Sequence, residues 1–140
     1  MKIRLFILFL GIVTGLNAQK SVDSEPPQTI QSTSFKFDKE FIDLGKVTKG
    51  DKKIFDYTMV NTGSEDIEIS YLDYCACTEV DYPVGKVLKP GEKMTFDVVF
   101  DSSTKDEEET IEIAMELKNI NPEDGLPYYL TLKYHFDIVK

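Results

Sequence analysis

The chain contains no tryptophan, a single histidine and only two cysteines among its 140 residues. Hydrolysis by a Ser/His/Asp or Cys/His arrangement needs a histidine beside the nucleophile, and His135 is the only one available. This residue falls on the polar face of the last predicted strand, where we expect it to face solvent. The sequence also lacks a phosphate-binding glycine-rich loop, zinc-ligand spacing and a calcium loop. These absences predict a protein that is not an enzyme and that needs no cofactor or metal.

Basic residues are scarce relative to acidic ones. The chain has 16 Lys and Arg against 25 Asp and Glu, which gives a formal net charge of −9. An acidic surface is repelled by phosphate backbones and by anionic lipid headgroups. Nucleic acid and anionic membranes are therefore not expected as partners. Acidic runs such as residues 106–109 are expected to be solvated turns.

Long apolar runs are missing as well. The longest, residues 5–16, has about 12 residues, whereas a helix that spans a bilayer needs about 20. It follows Lys2 and Arg4 and ends just before Ala18, which is the order of a secretory signal. We predict that residues 1–18 are a cleaved signal peptide, that the protein is periplasmic or secreted, and that no transmembrane segment remains. An uncleaved membrane anchor is the alternative.

Residues 19–34 contain almost no bulky apolar side chains. Such a segment buries too little surface to offset the entropy lost on ordering, which predicts a flexible linker. The remaining residues, 35–140, have the length of a single domain.

Period-two alternation dominates this domain, and no segment keeps a helical period over three turns. With residues 35–37 and 41–44 as a split first strand, about seven strands are expected. Seven short strands in about 100 residues predict an all-β, immunoglobulin-like β-sandwich, with a small barrel as the second choice. The predicted core faces are Phe55-Tyr57-Met59, Ile67-Ile69-Tyr71, Met94-Phe96-Val98-Phe100, Ile111-Ile113-Met115-Leu117 and Tyr128-Leu130-Leu132-Tyr134-Phe136-Ile138.

Five residues between the strands are predicted to have structural roles in turns. Gly45, Gly63 and Gly91 are expected to adopt a positive φ, which glycine tolerates best. Pro90 and Gly91 suit the central positions of a type II turn. The amide of Asn61 is expected to satisfy backbone groups at the end of a strand.

The two cysteines, Cys75 and Cys77, are separated by one residue. On an extended strand their Cα atoms would lie about 6.5 Å apart, near the upper limit for a disulfide, so a bridge requires local bending. Four interpretations stay open: a structural or strained disulfide, two packed thiols, a site for a soft metal such as Cu(I), and a catalytic redox pair. The neighbouring Asp73 and Glu79 argue against a reactive thiolate.

Four short motifs occur in a recognisable order. They are Ile-Asp-Leu-Gly-Lys-Val at 42–47, Asn-Thr-Gly at 61–63, Cys-Ala-Cys-Thr at 75–78 and Leu-Lys-Pro-Gly-Glu at 88–92. In this order they resemble an uncharacterised bacterial family of exported immunoglobulin-like domains, typical of Bacteroidetes and similar to the Hydin and major-sperm-protein sandwiches. The resemblance implies the fold and the export, and it brings no established activity. Ala76 departs from the Cys-Gly-Cys that is usual in the family.

The leading functional hypothesis is an exported, non-enzymatic immunoglobulin-like domain that binds another protein of the envelope or of the extracellular space. Exposed sheet edges would allow binding by strand addition. The alternative is a metal-handling or redox protein that uses Cys75 and Cys77. The sequence does not select an oligomeric state.

Overall fold

The computed structural model describes residues 32–140, so the predicted signal peptide and residues 19–31 of the predicted linker lie outside the described residues. In the described range, no helix is long and apolar enough to cross a membrane. Eight strands and one 3-10 turn, Ser102–Thr104, are present there. The strands are β1 (Phe35–Phe37), β2 (Phe41–Thr48), β3 (Lys52–Asn61), β4 (Ile69–Asp73), β5 (Thr78–Asp81), β6 (Lys93–Asp101), β7 (Glu109–Ile120) and β8 (Pro127–Val139).

The strands form two four-stranded sheets. Sheet I has the order β1-β3-β6-β5, and sheet II has the order β2-β8-β7-β4. The pairing of β2 with β8 is parallel, and the other described pairs are antiparallel. The apolar faces of the two sheets enclose one hydrophobic core. The predicted all-β, immunoglobulin-like sandwich is therefore confirmed.

The first strand is split between the two sheets. β1 pairs with β3 in sheet I, whereas β2 pairs with β8 in sheet II. At the corner between them, Asp38 N donates to Thr58 O (2.9 Å), and Asp38 Oδ1 accepts from Thr58 N (2.8 Å). These bonds hold the corner against β3 while the chain changes sheets.

Ordered pairing begins before residue 35. Thr62 N and Gly63 N donate to Ser34 O at 2.9 and 3.0 Å, and Ser64 N donates to Ser32 O at 3.0 Å. Ser32–Ser34, which the sequence assigns to the linker, thus belong to the domain. A segment without bulky apolar side chains is held here by backbone hydrogen bonds to residues 62–64.

The core consists of the inward residues of the alternating strands. In β6, for example, Phe96, Val98 and Phe100 are each at most 1% exposed. Partly buried residues such as Phe55, Tyr128 and Leu130 pack against this core. Burial of such apolar surface, at about 25 cal/mol per Å², is the main stabilising term for a sandwich.

One predicted core residue lies on the opposite face. The register of β4 against β7 shifts between Ile69, paired with Leu117, and Tyr71, paired with Glu116. Ser70 is the extra residue of a β-bulge, and one extra residue reverses the face of every side chain that follows. The prediction that Tyr71 is buried is therefore wrong: it is 51% exposed, and Leu72 packs against the core instead.

Two buried tyrosines connect the sheets by hydrogen bonds. Tyr57 in β3 donates its hydroxyl to Lys133 O in β8 (2.7 Å), and the Tyr134 hydroxyl in β8 lies 2.6 Å from Thr78 Oγ1 in β5. Burial raises the pKa of Tyr134 to about 12, and burial followed by the nearby Tyr134 raises the pKa of Tyr57 as well. Both hydroxyls therefore remain protonated in the folded protein well above neutral pH.

The pKa of Tyr134 makes folding sensitive to alkali. Unfolded tyrosine loses its proton near pH 10, so between about pH 10 and pH 12 the folded state binds more protons and its stability falls as the pH rises. We expect Tyr134→Phe to reduce this slope by about 1.4 kcal/mol per pH unit in denaturant titrations. Tyr129→Phe, which removes an exposed hydroxyl, controls for the substitution. Equal slopes for the Tyr134→Phe variant and the unchanged protein would contradict the assignment.

Candidate functional site

Cys75 and Cys77 form a disulfide in the turn where the chain passes from sheet II to sheet I. Their Cα atoms are 5.2 Å apart, closer than on an extended strand, because the chain bends after β4. Thr78 N donates to Cys75 O (2.9 Å) and closes the turn. Of the four interpretations of the cysteine pair, the structure adopts the disulfide.

The disulfide adjoins a short hydrogen-bonded chain in the core. Thr78 Oγ1 lies 3.2 Å from Cys75 Sγ and 2.6 Å from the Tyr134 hydroxyl. A disulfide sulfur carries no proton and can only accept, so Thr78 donates to Cys75 and Tyr134 donates to Thr78. Thr78 is 7% exposed, so this chain satisfies polar atoms that water barely reaches.

A small pocket of about 140 Å³ opens beside the bridge. Its lining includes Ala76 and Cys77 of the turn, Lys52 of β3 and Asp101 of β6. Lys52 is a cation in the same lining as Cys77, which the local sequence does not reveal, and its ammonium group pairs with Asp101 at 3.6 Å. In the disulfide neither sulfur is a thiolate, so the bridge presents no thiolate nucleophile and no thiolate metal ligand to the pocket in this state.

Asn61 ties two loops to the end of β3 and is 1% exposed. Its Nδ2 donates to Glu65 O (2.7 Å) and to Leu88 O (2.8 Å), and its Oδ1 accepts from Gly63 N (3.0 Å). One side chain thereby satisfies three backbone groups at the end of the sandwich.

The three glycines of the predicted turns have two different roles. Gly45 (φ 63°) and Gly91 (φ 82°) adopt positive φ, and Glu92 N donates to Lys89 O (3.0 Å) around Pro90 and Gly91, as in a type II turn. Gly63 does not have a positive φ, so that prediction is wrong. A Cβ there would lie 2.6 Å from Ser34 N and closer still to Ser32 O, so the backbone contact excludes a side chain.

His135 lies on the outer face of sheet II and is half-buried rather than fully solvent-facing. Its Nε2 is 3.1 Å from Glu108 Oε1, and its Nδ1 is 3.1 Å from Thr110 Oγ1. Both ring nitrogens are thus engaged by neighbouring surface side chains. Within residues 32–140, no group of three or more His, Cys, Asp or Glu residues is arranged to hold a metal ion.

A cluster of aromatic and acidic side chains lies exposed on the outer face of sheet II. Glu116 in β7 pairs with both Tyr71 in β4 and Tyr129 in β8, and directly opposed residues share a face. Tyr71 is 51% and Tyr129 is 63% exposed. Asp73 follows on the same face of β4. We call Tyr71, Asp73, Glu116 and Tyr129 the tyrosine patch.

The carboxylates of the tyrosine patch are not neutralised by described residues. Neither Asp73 nor Glu116 forms a salt bridge within residues 32–140, although Glu116 Oε1 accepts from Ser70 Oγ at 2.7 Å. Partial desolvation and then the charge of Asp73, together with Tyr129 and Glu116, raise the pKa of Tyr71. The patch therefore combines exposed aromatic rings with negative charge, a combination that sequence reasoning missed because it placed Tyr71 in the core.

Comparison with known proteins identifies a family and a fold. A family model described as "Protein of unknown function (DUF1573)" matches residues 35–124. A search of curated proteins finds no significant match. Among solved structures, the chain is similar to the ASH / PapD-like domain (PapD-like domain 7) of human CEP192, with 11% identity, a TM-score of 0.62 and coverage of 98% of both chains.

Two further solved structures are similar over part of their length. A protein of unknown function from Porphyromonas gingivalis W83 has 12% identity and a TM-score of 0.61, with 76% of this chain and 47% of that chain covered. The VesB protease of Vibrio cholerae has 15% identity and a TM-score of 0.59, with 75% and 31% covered. This chain thus spans less than half the length of either protein. At such identities the likeness shows the fold alone.

Removal of the Asn61 amide should destabilise the fold. Asn61→Ala removes the donor to Glu65 O and one of the two donors to Leu88 O, which keeps its bond from Ile67 N (2.9 Å). We expect the free energy of unfolding to fall by about 1–3 kcal/mol in urea titrations. Asn121→Ala is the matched control, because Asn121 Oδ1 accepts only from Glu123 N (3.0 Å) in an exposed loop. The control should cost less than about 1 kcal/mol. Similar losses in both variants would refute the special role of Asn61.

The disulfide should be detectable by mass and should contribute little to stability. Reduction should add about 2 Da, the mass of two hydrogen atoms. Because the bridge closes a ring with a sequence separation of only 2, its loss should lower the free energy of unfolding by no more than about 1.5 kcal/mol. An unchanged intact mass after reduction would show that the thiols are free in the purified protein.

Proposed function

Because this chain belongs to the DUF1573 family, whose description assigns no activity, we propose its function from its own surface. We propose that it is an exported, non-enzymatic immunoglobulin-like module that binds another protein of the cell envelope or of the extracellular space. The signal peptide predicted in residues 1–18 supports the location, and the tyrosine patch supports the binding role.

The tyrosine patch is the observation that carries the proposal. Tyrosine is enriched at the centres of protein interfaces, because its ring buries a large area while its hydroxyl keeps a polar partner. Phe41, which is 55% exposed, lies on the same face in β2, opposite Lys133 and four residues along β8 from Tyr129. Two strands of the sheet, β7 and β8, carry small side chains, Ala114 and Thr131, in the row next to the two tyrosines. A partner surface can therefore reach both rings.

The face of sheet II is a better candidate than a sheet edge. The edge strands β1 and β5 of sheet I have only three and four residues. In sheet II, β4 is interrupted by its bulge, and β2 shifts register between Asp43 and Lys46 around Gly45. Short and bulged edges are poor templates for an added strand. Binding by strand addition thus receives less support than binding through the face.

A non-enzymatic role is supported by the surroundings of the groups most suited to chemistry. His135 is engaged at both nitrogens by surface side chains, and the sulfurs of Cys75 and Cys77 are joined to each other. The alternative, soft-metal or redox chemistry at the cysteine pair, has less support because it requires a thiolate that the disulfide does not provide.

The proposal predicts that partner capture depends on the tyrosine patch. Chemical cross-linking in the envelope fraction should yield a reproducible partner, and Tyr71→Ala/Tyr129→Ala should reduce its yield about tenfold, as expected for aromatic anchors at an interface. Ile54→Ala is the control, since Ile54 is a 79% exposed apolar residue on the outer face of sheet I. It should change the yield less than about twofold.

Thermal unfolding of each variant separates loss of binding from loss of folding. Failure to capture any reproducible partner, or equal capture by the double variant and the control, would count against the proposed function.

A further inference from the structure

We propose that the tyrosine patch recognises a lysine or arginine side chain on an extended segment of the partner protein. This inference rests on the proposed function and specifies the chemistry of the partner. A cation is attracted both to the face of a tyrosine ring and to a carboxylate. The tyrosine patch presents both kinds of group on one exposed surface.

The geometry places a carboxylate between two aromatic rings. Tyr71, Glu116 and Tyr129 form one row across three adjacent strands. Neighbouring strands lie about 4.8 Å apart, so the backbone positions of the two tyrosines are about 10 Å apart. A guanidinium or ammonium group that approaches Glu116 from solvent therefore lies within reach of both rings.

The charges of the surrounding sheet favour a cation from outside. The two nearest lysines on β7 and β8 are occupied: Lys118 binds Glu68 and Lys133 binds Glu112, each at 2.7 Å. Glu116 and Asp73 have no such partner among the described residues. Partial desolvation and then the charge of the adjacent Asp73 raise the pKa of the Tyr71 hydroxyl. A cationic side chain would neutralise the local charge that the fold leaves uncompensated.

The side chains in the row next to Tyr71 and Tyr129 indicate that the bound segment of the partner protein is extended. Ala114 and Thr131 lie in that row, two residues along β7 and β8 from Glu116 and Tyr129. Residues two apart on a strand are separated by about 6.8 Å, which is also the spacing of alternate side chains in an extended peptide. A peptide that lies along β7 and β8 can thus place one cation at Glu116 while its next side chain on that face lies over the small residues.

The test measures the affinity of the purified protein for a defined peptide. The probe is a fluorescently labelled peptide of about 12 residues with arginine at alternate positions and threonine between them. A second peptide carries glutamine in place of each arginine. A neutral oligosaccharide, chitotetraose, is tested in parallel as a ligand of another class. Fluorescence anisotropy and isothermal titration give the dissociation constants.

We expect the arginine peptide to bind at least about tenfold more tightly than the glutamine peptide. Glu116→Gln/Asp73→Asn should weaken its binding about tenfold, and Tyr129→Leu about two- to fivefold. The matched control is Asp81→Asn/Asp97→Asn, which removes the same charge from neighbouring exposed positions on the outer face of sheet I. It should change the affinity less than about twofold.

Three outcomes would overturn the inference. Equal weakening by the two double charge variants would show non-specific attraction to an acidic protein. Equal affinity for the two peptides would exclude recognition of a cation, and selective binding of chitotetraose would assign the patch to a glycan. If Glu116→Gln/Asp73→Asn still captures the envelope partner while Tyr71→Ala/Tyr129→Ala does not, this inference fails and the proposed function stands.

Discussion

In the closed apolar core between the two sheets, every buried polar group needs a hydrogen-bond partner. This requirement is strongest where strands end or where the chain changes sheets, because the sheet's own hydrogen bonds stop there. A buried donor or acceptor without a partner costs about 1–3 kcal/mol. Asn61 meets this requirement at the end of β3, and Thr78 meets it at the start of β5. In the described part of the chain, every buried side-chain nitrogen and oxygen atom has a partner. At positions 61 and 78 the fold therefore requires a side chain that forms hydrogen bonds, not one that only fills space.

β8 connects these buried hydrogen bonds to the tyrosine patch. Its Lys133 O accepts a hydrogen bond from Tyr57 in sheet I, and its Tyr134 hydroxyl bonds to Thr78, which also lies in sheet I. It also pairs with both β2 and β7. Because side chains alternate along a strand, the outward residues of this anchored strand include Tyr129. The most exposed ring of the tyrosine patch thus stands on a strand that is held to both sheets.

The sandwich can be predicted from the sequence because each strand must bury one of its faces. This local requirement makes apolar and polar residues alternate along the strand. Alternate residues from Met94 to Phe100 and from Ile111 to Leu117 follow that rule and lie in the core. Contacts between distant segments leave no local pattern. The backbone of Ser32 and Ser34 excludes a side chain at Gly63, and the bulge at Ser70 depends on pairing with β7. The candidate site escaped prediction because it follows from the bulge, which turns Tyr71 outward.

The bulge and the disulfide act on the two ends of one short edge strand. Ser70 sets which face Tyr71 and Asp73 take, and two residues after Asp73 the chain enters the turn that the bridge closes. β5 begins at Thr78 in the other sheet, so the chain has only four residues, 74–77, in which to pass from sheet II to sheet I. A ring this small lowers the conformational entropy of the unfolded chain only slightly, but it restricts the backbone of the turn. The bridge thus restricts the turn that directly follows the end of β4 at Asp73, next to the tyrosine patch.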